Sequence, residues 1–354
     1  MARRQNKLPH AKTKKLPTSY RSALNHSVQL VHQVCCIAGA HSLIEDIRSE
    51  GAPNTLGSSI ERLDTPALFN WLITVLSFQG ISDRVASAYI EEHGSVTWLE
   101  IEYRLSKRPS CPKLKSYWHF HECGYRKTNR TCACPEHYSR CPLPKHRLRN
   151  GRLNQTAYSL FLFLRDIADS DLVNWIDGQL SRVVFTKGSK RIPAMRQSLL
   201  GPLRHIYGLA DKVLSMAFAS ILLAAQDART HWHETGGSMI AIDTLVHKFL
   251  HRTGITARLD AEHPYGPRCY EKNGCAEIIE KIAGRIDAKE FNKTFPGYFP
   301  RFVQYAIWRF CAQEELDACN SNRISDHERC QNRWCRLFNG CDRRSVTIRR
   351  YSTG

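Results

Sequence analysis

A glycine-containing turn between two helical segments constrains this chain more than any other feature of its sequence. Residues 206–214 read IYGLADKVL, with a turn expected at Gly208 and with Lys212 at the start of the second helix. Residues 240–244 read IAIDT, in which Asp243 occupies the position before a further helix. Aspartate is favoured there because its carboxylate accepts backbone N–H groups. The two helix starts therefore offer an amine and a carboxylate.

Helical patterns dominate the remaining sequence and strand patterns are scarce, so we predict an all-α fold. Apolar residues recur at helical spacing in most segments. The predicted helices lie at about 22–50, 67–77, 82–93, 158–168, 172–180, 194–206, 212–225, 242–251, 275–285 and 298–316. Thr65 is the expected N-cap of the second of these, followed by Pro66 in its first turn. Segment 107–150, rich in Cys, Pro, His and Arg, fits no helix and is interpreted as an insert.

The charge of the chain favours a polyanionic partner. Its 354 residues contain 51 Lys+Arg against 33 Asp+Glu, which gives a formal net charge of +18. The basic residues are concentrated in blocks at 1–44, 104–152 and 329–350. Such blocks are typical of phosphate contacts, which supply affinity without sequence information. No apolar run approaches the ~20 residues that a membrane span needs.

Three segments resemble the helix-hairpin-helix DNA glycosylases, the superfamily that includes endonuclease III, the adenine glycosylase and the 8-oxoguanine glycosylases. The family hairpin reads approximately LPGVGxKxA and is followed by VDTHV and RxG. The corresponding segments here are 206–214 (IYGLADKVL), 242–246 (IDTLV) and 252–254 (RTG). Upstream, residues 76–83 (LSFQGISD) resemble the family block LSxQxxD. The similarity covers about 65–104 and 151–341, with Ala210 in place of the second hairpin glycine and Leu245 in place of the histidine.

The resemblance implies a two-lobed fold and a set of DNA contacts. The hairpin residues are expected to bind one phosphate through backbone N–H groups at a helix start; they are Gly208, Leu209, Ala210 and Asp211. Gln79 would fill the gap left by a flipped base. The alternative for Gln79 is an ordinary polar helix end.

The resemblance also implies catalytic roles for Lys212 and Asp243. In lyase members of the family, the lysine at this position attacks the sugar C1′ and forms a Schiff base. Asp243 would orient or deprotonate the nucleophile and stabilise positive charge on the sugar. The alternatives are that Lys212 only pairs with a phosphate and that Asp243 only caps its helix.

The fourteen cysteines predict bound metal. The N-terminus lacks the apolar segment of a secretory signal, so the thiols should stay reduced, and clustered reduced cysteines are typical of metal sites. The C-terminal set is Cys319, Cys330, Cys335 and Cys341, spaced x10, x4 and x5. Many family members carry Cys-x6-Cys-x2-Cys-x5-Cys there and hold a [4Fe–4S] cluster. We predict such a cluster, with Zn²⁺ as the alternative metal and Cys311 as an alternative first ligand.

A second metal, most simply Zn²⁺, is predicted in the insert. Five cysteines lie there, with His119, His121 and His137 as possible substitute ligands, and the set chosen is Cys123, Cys132, Cys134 and Cys141. Cys111 is the fifth cysteine of the insert. The pairs Cys35–Cys36 and Cys269/Cys275 have no convincing partners in the sequence and are interpreted as core or loop residues.

These predictions divide the chain into five parts. They are a basic flexible arm (1–21), N-terminal helices that pack on the C-terminal lobe (22–64), a helix-hairpin-helix domain (65–254) interrupted by the insert (107–150), C-terminal helices with the cysteine loop (255–342) and a basic tail (343–354). We expect a monomer in the cytoplasm or nucleoid of a bacterium or in the nucleus of a eukaryote. The basic N-terminus is also compatible with a mitochondrial presequence.

The expected function is base excision from DNA. The chain would flip a damaged or modified base from double-stranded DNA and cleave its N-glycosidic bond, with or without strand cleavage by β-elimination. The alternative is a non-catalytic nucleic-acid-binding protein on the same scaffold. The identity of the base stays open, with Tyr207, Trp232 and His247 as candidate pocket residues. Segment 226–238 is expected to be a loop that contacts DNA or decorates the surface.

Overall fold

The computed structural model describes residues 18–39, 41–51, 55–77, 88, 90–92, 96–107, 111–120, 123, 134–143, 152–319 and 324–346. Within these ranges the regular secondary structure is helical and no strand is present, which confirms the predicted all-α class. The α-helices are α1 (Thr18–Ala38), α2 (Leu43–Ser49), α3 (Leu56–Glu61), α4 (Thr65–Ser77), α5 (Trp98–Ser106), α6 (Tyr117–Phe120), α7 (Arg152–Asp166), α8 (Leu172–Val183), α9 (Arg191–Leu203), α10 (Asp211–Ala224), α11 (Thr230–Ser238), α12 (Thr244–Arg252), α13 (Ile255–Arg258), α14 (Cys275–Ala283) and α15 (Pro300–Cys311). None of them is both long and apolar enough to cross a membrane alone.

Helix α10 lies at the centre of one group of helices. It packs against α2, α3, α4, α9 and α11. Its apolar residues face several neighbours at once, and Phe218, Ile221 and Leu222 are almost fully buried. A helix that is apolar over most of its circumference requires such an interior position.

Helix α15 organises a second group. It contacts α1, α11, α12 and α14, and α1 also packs against α13 and α14. The long N-terminal helix therefore lies on the C-terminal helices, whereas α2 and α3 contact α10. Helix α11 connects the two groups, because it packs against α9 and α10 and also against α15. Asp243 lies between α11 and α12 in the chain.

Helices α9 and α10 are joined by a short turn that α7 holds in place. Gly208 has φ of +76°, a left-handed conformation that favours glycine. The neighbouring Tyr207 donates its N–H to Ser159 Oγ at 3.0 Å, and its carbonyl accepts from Thr156 Oγ1 at 2.9 Å. Because both partners are on α7, the turn is fixed to the body of the protein on one side.

Two local predictions are wrong. Thr65 is not the cap of α4, because Asp64 Oδ1 accepts the Ala67 N–H at 2.9 Å. Instead the Thr65 hydroxyl accepts the N–H of Leu172 at 3.0 Å and so links α4 to the start of α8.

Segment 226–238 is largely a helix, α11, and not a surface loop. Trp232 is buried, with its indole N–H 2.6 Å from Asp177 Oδ1. His233 is also buried and contacts the Ala225 carbonyl at 3.0 Å. The glycines that indicated a loop serve close packing, because a Cβ at Gly236 would lie 2.8 Å from Leu222 Cβ on α10.

Arg252, at the end of α12, fastens the C-terminal segment 324–346. Its side chain is 1% exposed and donates to the carbonyls of Ser325, Glu328 and Arg344, each at 3.2 Å. The backbone adds a bond from Arg344 N to the Arg252 carbonyl at 2.8 Å. One buried guanidinium thus holds three points of a segment that has no helix of its own in its described residues.

The backbone at Gly254 shows why the segment RTG (252–254) ends in glycine. Its φ is +83°, and a Cβ there would lie 1.9 Å from Asp342 Oδ2. Asp342 follows Cys341 and pairs with Arg258. The glycine therefore permits the close approach of the C-terminal segment to the end of α12.

Candidate functional site

Asp243 caps helix α12 as the sequence predicts. Its Oδ1 accepts the N–H of Val246 at 2.8 Å. Burial raises the pKa of the Asp243 carboxyl, while the Val246 N–H and the positive charge of Lys212 act in the opposite direction. Since burial dominates, ionising this carboxylate costs more than ionising one in water.

Lys212 lies in the first turn of α10 and is partly exposed. Its charge acts on Asp243, so the structure brings the two residues into the same region. No ion pair within 4.0 Å joins them in the described part of the chain.

Two tyrosine side chains lie near the Asp243 carboxylate. The Tyr270 hydroxyl accepts the N–H of Ile242 at 2.8 Å, next to Asp243 in the chain. Burial and the negative charge of Asp243 raise the pKa of Tyr265. Beneath them Arg301 is buried, and loss of hydration lowers its pKa to about 10.

Two cavities open beside these residues. One, of about 290 Å³, is lined by Thr244, His247, Lys248, Pro264, Tyr265 and Val346. The other, of about 300 Å³, borders the hairpin and includes Arg204, Asp211, Ser215, Ile240, Tyr270 and Lys272 in its lining. A group that reached Asp243 from solvent would therefore meet aromatic and basic side chains.

The predicted phosphate-binding residues lie on the turn between α9 and α10. Gly208 and Ala210 are exposed, whereas Leu209 and Asp211 are partly buried. Asp211 is held by a two-pronged pair with Arg204, whose Nε and second terminal nitrogen lie 2.6 and 2.9 Å from the carboxylate oxygens. This pairing neutralises the one acidic side chain of the turn. Gln79 lies outside the described residues.

The four C-terminal cysteines line one cavity. Cys319, Cys330, Cys335 and Cys341 surround it together with Phe249, Leu337 and Phe338. Burial and the other cysteines raise the pKa of Cys341 to about 12. Cys311, the alternative first ligand, ends α15 and is not part of this lining. All four predicted cysteines therefore border the same cavity, and their role as metal ligands stays a prediction.

The cysteines of the insert are described only in part. Cys132 lies outside the described residues. Cys134 forms a hydrogen bond with Cys111, which the predicted set left out. Gln155 approaches Cys123, with its amide nitrogen 4.0 Å from the sulfur. Cys141 lies close enough to Tyr158 for its charge to act on the phenol.

A buried group that sequence reasoning missed consists of His247, His263, Cys269 and Cys275. One ligand atom from each lies within 4.8 Å of all the others, so the group could hold a metal ion. Cys269 and Cys275 are therefore not simple core or loop residues. The signal in the sequence was the even spacing of His263, Cys269 and Cys275, each six residues apart; His247, a turn along α12 from Asp243, completes the group only in three dimensions.

The protonation of Cys269 depends on the protonation of Cys275. Hydrogen bonds from Cys275, His247 and His263 lower the pKa of the Cys269 thiol, and the Cys275 thiol correspondingly keeps its proton. Burial, with the nearby His247 and His263, lowers the pKa of His251 to about 3. Hydrogen bonding to Cys269 raises the pKa of His263. The group therefore offers a thiolate at Cys269, the form of cysteine that binds metals.

Comparisons of the chain with protein-family models, with curated proteins and with solved structures found no match. Function must therefore be argued from the residues and their geometry.

Proposed function

We propose that this chain is a DNA N-glycosylase of the helix-hairpin-helix type. It flips a damaged or modified base out of double-stranded DNA and cleaves the bond between that base and its sugar. The observation that carries the proposal is the partly buried carboxylate of Asp243, which caps α12, feels the charge of Lys212 and directly precedes Thr244, a residue that lines a cavity of about 290 Å³.

The carboxylate suits the chemistry of glycosidic cleavage. As the base leaves with the electron pair of the N-glycosidic bond, positive charge develops on the sugar, and a nearby carboxylate stabilises it. The raised pKa of Asp243 makes it a better acceptor for a proton from the attacking group. The role as helix cap is compatible with this, because it fixes the direction of the side chain.

Lys212 supplies the nucleophile in one of two routes. Its deprotonated amine attacks C1′, a C–N bond forms, and the bond to the base breaks; opening of the sugar ring then leaves a Schiff base from which β-elimination cuts the strand. If water attacks instead, Asp243 accepts its proton and Lys212 stabilises the nearby phosphate. Both routes require the sugar to lie between the amine and the carboxylate.

The hairpin and the net charge supply DNA affinity in this proposal. Backbone N–H groups at the start of α10 bind a phosphate together with the helix dipole. Arg204 cancels the charge of Asp211 and so removes repulsion from the turn. The net charge of +18 favours the DNA backbone throughout.

We further propose that the four C-terminal cysteines hold a [4Fe–4S] cluster. A tetrahedral Zn²⁺ site would draw four sulfurs to about 3.8 Å from one another. What supports a shared metal centre is that all four cysteines line one cavity, and the resemblance to the glycosylase family favours a cluster. When bound, the cluster would hold the loop that carries Arg329, Arg333 and Arg336 and would contribute structure and charge. The Zn²⁺ of the insert remains a prediction from sequence.

The test is a panel of duplexes with different modified bases, assayed for base release. We expect release from at least one duplex by the wild type, and its loss in Asp243→Asn. Asp171→Asn is the matched control, because Asp171 caps α8 in the same way, through the N–H of Asn174, without a cavity or lysine beside it. If the two variants behave alike, Asp243 is only a cap.

Borohydride trapping separates the two routes. A covalent adduct with abasic DNA that is lost in Lys212→Gln supports the lyase route. Base release that survives Lys212→Gln supports attack by water. Binding of DNA by the wild type with neither release nor adduct would overturn the enzymatic proposal in favour of a non-catalytic nucleic-acid-binding protein.

A further inference from the structure

We propose that His247, His263, Cys269 and Cys275 bind one Zn²⁺ ion in a closed tetrahedral site, and that this ion fastens segment 260–276 to helix α12. The binding of the ion stands independently of the proposed function. The proposal that the ion also fixes the cavity wall near Asp243 rests on that function.

The distances within the group fit a tetrahedral zinc site. With Zn–S of about 2.3 Å and Zn–N of about 2.05 Å, nitrogen and sulfur ligands should lie about 3.6 Å apart. His247 Nδ1 lies 3.4 Å from Cys275 Sγ and 3.5 Å from Cys269 Sγ. His263 Nε2 lies 3.3 Å from Cys275 Sγ. Each of these separations is within about 0.3 Å of the expected value.

The outer contacts of His263 fit a metal ligand. Its Nδ1 lies 2.7 Å from the Ala261 carbonyl, which accepts only, so Nδ1 carries a hydrogen and Nε2 is the ring nitrogen left to bind a metal. Metal-bound histidines are oriented in this way by a carbonyl or carboxylate on the other nitrogen. The backbone thus presents Nε2 to the sulfurs in the form that zinc requires.

The burial of the group favours a structural ion over a catalytic one. The exposed fraction is 0% for Cys275, 1% for Cys269 and 4% for each histidine. Two thiolates also neutralise the charge of Zn²⁺, so no buried net charge remains, and binding releases the proton of the Cys275 thiol to solvent. Catalytic zinc sites keep one position open for water or substrate, whereas four protein ligands close this one.

The backbone is built to bring the two cysteines together. The chain turns sharply between them, and a Cβ at Gly274 would lie 2.3 Å from the Arg268 carbonyl oxygen and 2.6 Å from that of Cys269. Atoms do not approach so closely, so glycine is required here. The turn is closed by a bond from Gly274 N to the Glu271 carbonyl at 2.8 Å. Without this turn Cys275 could not fold back on Cys269.

The ion would tie the candidate site together. His247 is on α12, four residues after the capping Asp243, and the other three ligands come from the segment that follows α13. That segment carries Tyr265, which lines the cavity beside Asp243. Zinc would therefore fix the cavity wall relative to the carboxylate.

The first experiment measures zinc in purified full-length protein by mass spectrometry of the elements. We expect Cys275→Ser to contain one zinc ion fewer per chain than the wild type. Cys35→Ser is the matched control, because Cys35 is equally buried but lies in α1 outside the group, and it should lose none. Comparing variants cancels zinc bound elsewhere in the chain. Equal zinc in wild type and Cys275→Ser would overturn the proposal.

A second experiment remains decisive if Cys275→Ser fails to fold. In protein loaded with Co²⁺, His263→Cys keeps four ligands but raises the thiolates from two to three. The thiolate-to-cobalt absorbance assigned to this site should rise by about half, following the number of Co–S bonds. An unchanged cobalt spectrum in His263→Cys would overturn the proposal, as would a Cys269–Cys275 disulfide found by mass spectrometry in protein kept under reducing conditions.

The two proposals can fail separately. Zinc content is measured without DNA, so retained zinc with no base release from any duplex contradicts only the glycosylase. Base release by a wild type that lacks this zinc contradicts only the metal site.

Discussion

Replacement of Arg252 by methionine should detach the C-terminal segment from helix α12. Methionine keeps an unbranched apolar stem of similar length but removes the guanidinium. Three carbonyls of residues 325, 328 and 344 then lose a charged donor, each from a bond of 3.2 Å. Asp326, 3.5 Å from the guanidinium, keeps its pair with Lys248 at 2.6 Å and adds little to the loss.

The magnitude follows from the number of lost bonds. A hydrogen bond from a charged group contributes about 1.5–3 kcal/mol, but these acceptors belong to residues at the surface and water can replace the donor in part. We therefore take about 1 kcal/mol for each bond, or about 3 kcal/mol for opening of the segment. Since each 1.4 kcal/mol is tenfold in an equilibrium constant, the open fraction should rise about 100-fold.

The rate at which a thiol reagent labels Cys330 and Cys341 under native conditions measures this opening. Labelling should be about 100-fold faster in Arg252→Met, as expected when reaction proceeds through local unfolding. Arg258→Met is the matched control, because Arg258 also reaches the segment, through Asp342, but its ion pair is 40% and 29% exposed. Such a pair contributes about 0.2–1 kcal/mol, or at most about fivefold in rate. Equal rates in the two variants would refute the role assigned to the buried arginine.

Three further predictions concern Asp243, the proposed zinc site and the arginine-rich C-terminal loop. Burial raises the pKa of Asp243, so ionisation of this carboxyl destabilises the folded state as pH rises through that pKa. The Asp243→Asn variant, whose side chain can still cap α12, should therefore have a melting temperature equal to or above that of the wild type at pH 7, and the difference should shrink at pH 4. A loss of melting temperature that does not depend on pH would contradict this. Gly274→Ala should lose one zinc ion per chain, whereas Gly284→Ala, where a Cβ has ordinary contacts from 3.4 Å, should keep it. Trp334 is 95% exposed in the arginine-rich loop, so Trp334→Ala should weaken binding of single-stranded DNA by about 1–3 kcal/mol in fluorescence anisotropy through lost stacking on bases. An equal effect of Phe185→Ala, at a side chain 86% exposed, would show that loss of stacking is not specific to that loop.

The sequence predicts the helices well where apolar spacing is regular. Helix α10 was expected at 212–225 and lies at Asp211–Ala224, and α12 was expected at 242–251 and lies at Thr244–Arg252. The turn at Gly208 and the cap at Asp243 were also predicted, because both depend on local backbone chemistry. A positive φ and a carboxylate on an N–H are requirements that neighbouring residues alone can express.

Features that depend on packing between distant residues were missed. The glycines of α11 indicated a loop, but they allow close contact with α10 and Phe299, which the local sequence does not reveal. The partner of Cys269 and Cys275 could not be predicted from spacing either. His247 lies 22 residues before Cys269 on a separate helix, and only the fold brings its ring to the sulfurs.

Helix α12 connects all three features of the site. It has nine residues, and a helix of this length is not stable alone in water, so its position depends on tertiary contacts. Its first turn is capped by Asp243, its second carries the metal-ligand candidate His247, and its last residue is the buried Arg252. A change at His247 or Arg252 can therefore shift the Asp243 carboxylate without contacting it. It follows that loss of base release in a Cys275 or Arg252 variant would not assign chemistry to that residue. Only a change at Asp243 or Lys212 that removes base release while zinc content and cysteine protection stay unchanged identifies a group that acts on the sugar.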